Sequence, residues 1–356
     1  MLQKAESKSL FTEFIISENN MCKVSVLIPA YNTERYIERC IGSVLNQTLK
    51  DIEIIIINDG STDGTKLILD KLQGSDSRLK IYHQENKGIG ASRKKALEFA
   101  KGKYFQFIDS DDWIDSDFLA TMYSIAEKYN ADIVEAGGFY YHDKNGKLKW
   151  EIKNSYQSED IVEIQSKDIA KKIVQRQHSC SLCTKLFRKE FCTKNNIDFV
   201  NSIDFGEDAH FICRVCYHNP KYIHTKKIFY HYMSNPTSTT KTRYTQKKFN
   251  CRIRWINDLE LYYNDLDFTK ALWSMKFFIK EEATISCLFN QSEYLQIFPN
   301  VMLNLKYVNV NPLRKLLVRL AVKHDNIKIG TFANKSFVKF IMRASNYIGR
   351  RTKLFQ

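Results

Sequence analysis

Tyr104-Phe-Gln-Phe-Ile-Asp109-Ser-Asp111-Asp112-Trp113 is a run of β-favouring apolar and aromatic residues that stops abruptly in three carboxylates within four positions. A strand ending this way delivers its acids to the carboxyl edge of a sheet, where open α/β folds bind their ligands. Like charges this close repel, so the cluster asks for a compensating cation. Carboxylate-only ligation suits Mg²⁺ or Mn²⁺ bridged to phosphate oxygens rather than zinc. The plainer alternative is an acidic strand-to-helix turn in which Asp112 or Asp115 caps the helix that follows.

Upstream the same grammar repeats. Lys23-Val-Ser-Val-Leu-Ile-Pro29 is a near-continuous apolar run, as in a strand buried on both faces of a parallel sheet. Ala30-Tyr31-Asn32 turns the chain, and Thr33 is placed to cap a helix whose apolar positions Tyr36, Ile37, Cys40, Ile41, Val44 and Leu45 fall at helical spacing. Ile52–Ile57 reads as a second buried strand ending in Asn58-Asp59-Gly60-Ser61-Thr62-Asp63-Gly64. A helix, the strand Leu79–His83, the loop Asn86-Lys87-Gly88 and a helix carrying Arg93, Lys94 and Lys95 follow. Alternating strands and helices with short loops predict a doubly wound, mostly parallel sheet. Four polar loops then share one rim, with Arg93 near a helix N-terminus where a diphosphate would be welcome. No Gly-x-Gly-x-x-Gly follows the first strand and no Gly-x₄-Gly-Lys-Ser/Thr occurs, which excludes the usual dinucleotide and P-loop sites.

The chain has 356 residues, 44% hydrophobic and 13% aromatic, ample for a large core. No apolar run reaches the length of a membrane span. Residues 1–22 mix charges with a few apolar residues and lack a signal peptide's core, so a cytoplasmic protein is expected, with Met21 an alternative start. Nine cysteines without an export signal are expected to be reduced. The pairs Cys180/Cys183 and Cys213/Cys216 have zinc-like spacing but no glycine knuckle, and they read better as buried small hydrophobes than as a Cys₄ site.

The motifs Val24-Ser-Val-Leu-Ile-Pro-Ala-Tyr-Asn-Thr-Glu34, Ile57-Asn-Asp-Gly-Ser-Thr-Asp-Gly64, Asn86-Lys-Gly88 with Arg93, and Phe107-Ile-Asp-Ser-Asp-Asp-Trp113 resemble, in order and spacing, those of glycosyltransferase family 2. A weaker match continues through Cys183-Thr-Lys-Leu-Phe-Arg188, Phe205-Gly-Glu-Asp208 and Ile228-Phe-Tyr-His-Tyr232, so the likeness spans roughly residues 23–235. The resemblance implies an inverting transferase of the GT-A fold that uses a nucleotide-sugar, most often a UDP-sugar, in bacterial surface-polysaccharide synthesis. It implies that Pro29, Tyr31 and Glu34 line the nucleotide pocket, that Asp59 bonds the base, and that Arg93 approaches the diphosphate. Asp109 would touch the ribose side, Asp111 would ligate Mn²⁺ or Mg²⁺ together with His231, and Lys185 would contact the donor. Asp208 would be the catalytic base, although Glu207 and Asp208 also suit the first turn of a helix beginning near Ala209. Lys94 stands where many members of the family have Asn, a departure that bears on the diphosphate contacts.

The domains implied are a leader over 1–22, a GT-A domain over 23–240 and a helical, basic region over 241–356. Residues 301–356 hold seven Lys and five Arg against a single acid, Asp325, in a chain of net charge +14. Lys335, Lys339 and Arg343 recur at i,i+4, with Phe337, Phe340, Ile341, Ala344 and Ile348 on the other side. Such a cationic amphipathic helix suits the surface of an anionic bilayer, here the inner leaflet where lipid-linked acceptors lie; a solvated bundle face or an oligomer contact is the alternative. Two rival functions fit the residues less well. A sugar-phosphate nucleotidyltransferase should carry a glycine-rich, Arg-bearing loop where Ala30-Tyr31-Asn32-Thr33 stands. A nucleic-acid-binding protein leaves the acids at the strand ends unexplained.

Overall fold

A computed structural model of the chain describes residues 22–153, 160–201, 203–235, 245–286 and 291–308, with 310, 312 and 315. It divides into two compact units: one formed by residues up to Ser166 with 181–202 and 218–240, the other by 167–180, 203–217 and the chain from Lys241 onward. The helical part thus draws two segments from within the expected 23–240 domain.

The first unit is built on an eight-stranded sheet. β1 (Val24–Ala30) and β2 (Ile52–Asp59) are buried at every position, the signature of strands covered on both faces. With β3 (Leu79–Gln84) and β4 (Tyr104–Phe107) they form a parallel set in the order β3-β2-β1-β4. The helices α1 (Ile37–Leu45), α2 (Thr65–Leu72) and α3 (Ile89–Phe99) make the crossovers, and α4 (Phe118–Tyr129) follows the acid cluster. Because β2 and β4 flank β1 on opposite sides, the strand order reverses between β1 and β4. That reversal is the switch point at whose carboxyl edge open sheets bind ligands.

Beyond β4 the sheet becomes mixed. β10 (Lys185–Arg188) runs antiparallel to β4 and to β6 (Ile133–Glu135), then β11 (Tyr222–Thr225) lies parallel to β6 and β9 (Ile161–Ile164) closes the edge antiparallel. A second sheet of four strands has the order β5 (Trp113–Ile114), β12 (Tyr230–Met233), β7 (Gly138–His142), β8 (Leu148–Lys153).

Two capping expectations are corrected. α1 begins at Ile37 without a side-chain cap, and Thr33 serves instead through its carbonyl, which accepts the Tyr36 and Ile37 N–H groups. Its own N–H is held by Thr65 Oγ1 at 2.8 Å, which pins the loop to the start of α2 rather than to α1. Neither Asp112 nor Asp115 caps α4, whose N-cap position is Asp117. Both carboxylates are taken up by β12, as described below.

The second unit contains α5 (Ser166–Val174, all but its first residue), α7 (Glu207–Tyr217), α8 (Gln246–Tyr262), α9 (Leu266–Ser286) and α10 (Gln291–Gln296); the short α6 (Lys189–Lys194) belongs to the first. α8 buries Phe249, Trp255, Ile256 and Leu259 at helical spacing, and Thr245 Oγ1 caps it by accepting the Lys248 N–H. His210 Nε2 meets Asp258 at 2.6 Å and Tyr263 Oη donates to the Cys213 carbonyl, tying α7 to α8 and the residue after it. The eight described cysteines are free thiols. Among the described residues no helix is long and apolar enough to cross a membrane. Most of the basic tail, including Lys335, Lys339 and Arg343, lies outside the described residues.

Candidate active site

Three loops at the carboxyl ends of β1, β2 and β3 are laced together by short polar side chains. Asn32, at a left-handed φ of 51°, accepts the Thr62 N–H at 2.8 Å, while its own N–H donates to Ser61 Oγ. Glu34 Oε2 accepts the Gly64 N–H at 2.6 Å, a carboxylate at the N-terminus of α2 where the helix dipole favours it. Asp63 returns the favour through the Glu34 N–H. Asp59, buried at the end of β2, gathers the next loop: Oδ1 accepts from Lys87 N–H and Gln84 Nε2, and Oδ2 from Gly88 N–H at 2.9 Å. Gly60 is required here, since its φ is +68° and a Cβ would stand 2.7 Å from the Asn86 nitrogen. Pro29 is buried in β1, whereas Tyr31 presents 48% of its surface to solvent beside these loops.

The fourth loop carries the acids, and the structure gives each a different environment. Arg93 of α3, 2% exposed, extends its guanidinium to Asp109 Oδ1 at 3.0 Å. Asp111 Oδ2 accepts from Asn235 Nδ2 at 3.1 Å, and the Asp111 carbonyl accepts from Arg39 of α1. Burial and the Asp109 charge push the Asp111 carboxyl up to about 6. Asp112 is fully buried, with Oδ1 accepting the Met233 N–H and Oδ2 the Tyr230 O–H, both at 2.7 Å. Burial and its two acidic neighbours raise its pKa. The Tyr230 oxygen in turn accepts the Asp109 N–H at 3.2 Å. Asp112 therefore bolts the loop to β12, while Asp109 pairs with Arg93 and Asp111 with Asn235. Among the described residues no three His, Cys, Asp or Glu side chains are grouped to hold a metal by themselves. One or two carboxylates fit a hard cation that takes its remaining oxygens from phosphate and water, the habit of Mg²⁺.

Two expected site residues are placed elsewhere. Lys185 is wholly buried, its Nζ 2.9 Å from Glu135 Oε1 on the neighbouring strand, with His224 Nδ1 at 3.3 Å from the other oxygen of Glu135. An ammonium stem that opposes Glu135 across β10 and β6 neutralises a charge inside the sheet, so a direct donor contact is not its position here. His231 lies on the face of β12 opposite Tyr230. Its Nε2 meets Asp115 Oδ1 and its Nδ1 meets His142 Nε2, both at 2.9 Å, and its ring stacks on Trp113 at 4.9 Å. Both ring nitrogens are thus engaged away from Asp111. His142 Nδ1 in turn faces the Gly146 carbonyl at 3.1 Å. Asp208 and Glu207 form the first turn of α7 in the second unit. Gly206 before them has φ +86°, and a Cβ there would lie 2.6 Å from Trp255 Nε1.

The sequence reading missed Arg39, whose guanidinium lies 3.7 Å from the Trp113 ring centroid, and it missed Asn235 and the Tyr230 hydroxyl. Arg39 carried only its place one turn into a predicted helix; the other two carried no local signal.

An acid cluster with a buried arginine lies at the switch point of an open α/β sheet, the edge at which such sheets bind ligands. The family model for glycosyl transferase family 2 matches residues 25–194. EpsH of Bacillus subtilis is 31% identical over 256 residues, 68% of this chain and 73% of that one. The glycosyltransferase GlyA of Streptococcus pneumoniae is 30% identical over 230 residues, 63% of this chain but only 32% of GlyA. The crystal structure of S. aureus TarS 1–349 in complex with UDP-GlcNAc matches with a TM-score of 0.67 at 21% identity, over 90% of this chain and 92% of that one. The chain belongs to glycosyl transferase family 2 and is a glycosyltransferase with the GT-A type of fold.

Proposed function

We propose that the chain transfers a sugar from a UDP-sugar to a hydroxyl of a saccharide or lipid-linked acceptor in surface-polysaccharide synthesis, with inversion at the anomeric carbon. The observation that carries this reading is the division of labour at Asp109–Asp112: one carboxylate paired with Arg93, one bolting the loop, and one raised to about 6 by burial and the Asp109 charge. A UDP-sugar in the fold neighbour TarS supports the choice of donor.

Pro29 and Tyr31 would flank the nucleotide, with Glu34 and Asp59 holding their loops in shape around it. Asp111, with Asp109, would hold Mn²⁺ or Mg²⁺, whose contribution is to neutralise the departing diphosphate. Arg93 adds fixed positive charge to the same end. Asp208 is proposed as the base: as the acceptor oxygen bonds to the anomeric carbon, its proton passes to the carboxylate, and the bond from that carbon to the diphosphate oxygen breaks.

A thermal-shift comparison of UDP, GDP, CDP and ADP, each with and without Mn²⁺, tests the donor and the metal together. Ligand at about a hundred times Kd adds about 2.7 kcal/mol to the folded state. UDP with Mn²⁺ should therefore raise the midpoint by several degrees, and Asp111→Ala should abolish the rise. A preference for GDP or CDP would change the donor, and no response to any nucleotide would leave the acids structural.

The tail is proposed to dock the enzyme on anionic membrane. Vesicles containing phosphatidylglycerol should sediment the full chain in low salt and release it above roughly 0.3 M, as screening shortens the reach of surface charge. Removal of residues 316–356, which hold five Lys and four Arg against Asp325, should abolish the binding. Equal binding to neutral phosphatidylcholine vesicles would contradict it.

A further inference from the structure

The second sheet presents a row of aromatic rings that the reaction site does not use. Tyr232 on β12, Tyr141 on β7 and Trp150 on β8 stand in register across three adjacent strands. Tyr141 stacks on Trp150 at 4.3 Å and 2°, and on Tyr232 at 5.7 Å and 22°. Stacked this way, the rings stand upright from the sheet, each covering its neighbour's face. β8 is the edge of that sheet, so among the described residues no strand covers Trp150 beyond Tyr141. Trp150 is 52% exposed. Cross-strand aromatic pairs contribute to hairpin stability on their own account, about 0.2–1 kcal/mol each. That role is met by the face turned to Tyr141 and leaves the solvent side unexplained.

The row is continuous with the acid cluster. Tyr230 lies two residues before Tyr232 on the same face of β12, and its hydroxyl contacts both Asp112 and the Asp109 N–H. Across the sheet, β8 lies two strand spacings from β12, roughly 10 Å. That spacing is that of a short oligosaccharide rather than of one sugar, and Tyr232 on β12 and Tyr141 on β7, both with phenol hydroxyls, stand between. An aromatic face with electron density above the ring attracts the slightly positive axial C–H groups of a pyranose whose substituents are equatorial. Hydroxyl-bearing tyrosines beside it offer partners for the sugar's own hydroxyls. Lys144, Lys147 and Lys149 on the same hairpin would also suit an anionic bilayer, and the vesicle measurement below separates that reading from a saccharide.

We infer that the Tyr232–Tyr141–Trp150 row is a distal acceptor subsite, on which the outer face of Trp150 stacks a sugar ring of an oligosaccharide whose end lies at the acid cluster. This inference rests on the proposed transfer to a saccharide, and it names a part of the acceptor-binding surface on the first unit. Trp150 touches neither donor nor reacting atoms, so it is a positioning residue.

Saturation-transfer NMR on the full chain, with cellohexaose and chitohexaose as probes, tests it. Both are β-linked with equatorial substituents, and the axial C–H protons of at least one should receive saturation. Trp150→Ala should weaken that binding about tenfold or more, about 1.4 kcal/mol. Trp150→Phe should restore most of it, which a merely structural role in the hairpin does not predict if both variants show the parent's circular dichroism. The UDP–Mn²⁺ thermal shift should be unchanged in both. Absence of saturation transfer to either hexasaccharide, or transfer that survives Trp150→Ala, overturns the subsite while leaving the transferase reading intact. Saccharide contacts at Trp150 without any nucleotide shift would do the reverse. A fluorescence blue shift on phosphatidylglycerol vesicles, lost in Trp150→Ala and unaccompanied by saccharide contacts, assigns the face to a membrane and also overturns it.

Discussion

Asp111 and Asp112 are neighbours with opposite duties, and the difference is in their partners. Asp112 receives the Tyr230 hydroxyl and the Met233 N–H in a fully buried position. Asp112→Ala leaves both donors without a buried acceptor, at about 1–3 kcal/mol each. A urea midpoint well below that of the parent is expected, together with loss of the UDP shift because the loop comes adrift. Asp111→Asn removes a carboxyl that is raised to about 6 by burial and by Asp109, so it relieves repulsion. Its unfolding midpoint without ligand should match or exceed the parent's, while the response to UDP and Mn²⁺ disappears. A marked loss of stability in Asp111→Asn would put both acids in the scaffold. The sequence showed three carboxylates at a strand end, and that much was legible from local pattern. Which of them is structural was not, because the deciding groups lie about 120 residues away on β12. Lys185 failed to read for the same reason. Its partner Glu135 meets it only across the β10–β6 register, and nothing in the spacing of the two along the chain announces that.

At the scale of elements, strands and helices up to β4 follow from the alternation of apolar runs and polar turns, since each is a local unit whose burial is written in its own residues. The elements after β4 are less legible: β10 and β12 are four residues long and gain their place from partners distant in sequence. A junction in the second unit carries a further prediction. Lys280 of α9 donates to the carbonyls of Tyr294 and Ile297 at 2.6 and 2.7 Å, closing the C-terminal end of α10. Burial brings its pKa down from 10.5 to about 8. The unfolded chain therefore holds this proton over a range, from about pH 8 to 10.5, in which the folded chain has released it. Wherever the unfolded state binds more protons, stability rises with pH. Lys280→Met lacks this group, so the stability difference in favour of the parent should widen between pH 7 and pH 10, as read from urea unfolding of the two proteins side by side. A difference that narrows would mean that the carbonyls hold the ammonium more strongly than burial expels it.

At the scale of the whole molecule, the break in sequence character at residue 240 is not a break in the fold. The second unit takes 167–180 and 203–217 from the middle of the chain, so the motif Phe205-Gly-Glu-Asp208 sits in it alongside α8. α7 buries Phe211, Ile212 and Val215 and is bound to α8 through His210–Asp258 and to Tyr263 beyond it, while α5 buries Ile169 and Ile173. Side chains of this size are worth about 1.5–3 kcal/mol apiece when buried. Exposing even part of this set spends much of the roughly 5–15 kcal/mol that holds a typical domain together. A fragment of residues 22–240 should accordingly bind an apolar dye such as ANS, aggregate, and unfold without a sharp transition. A fragment of residues 22–315 keeps Val301, Leu305 and Val308, which are buried, and sheds most of the basic tail. It should unfold in urea with the parent's cooperativity and retain the UDP–Mn²⁺ shift. If the 22–240 fragment unfolds as sharply as the full chain, α5 and α7 do not need α8–α10 in order to fold.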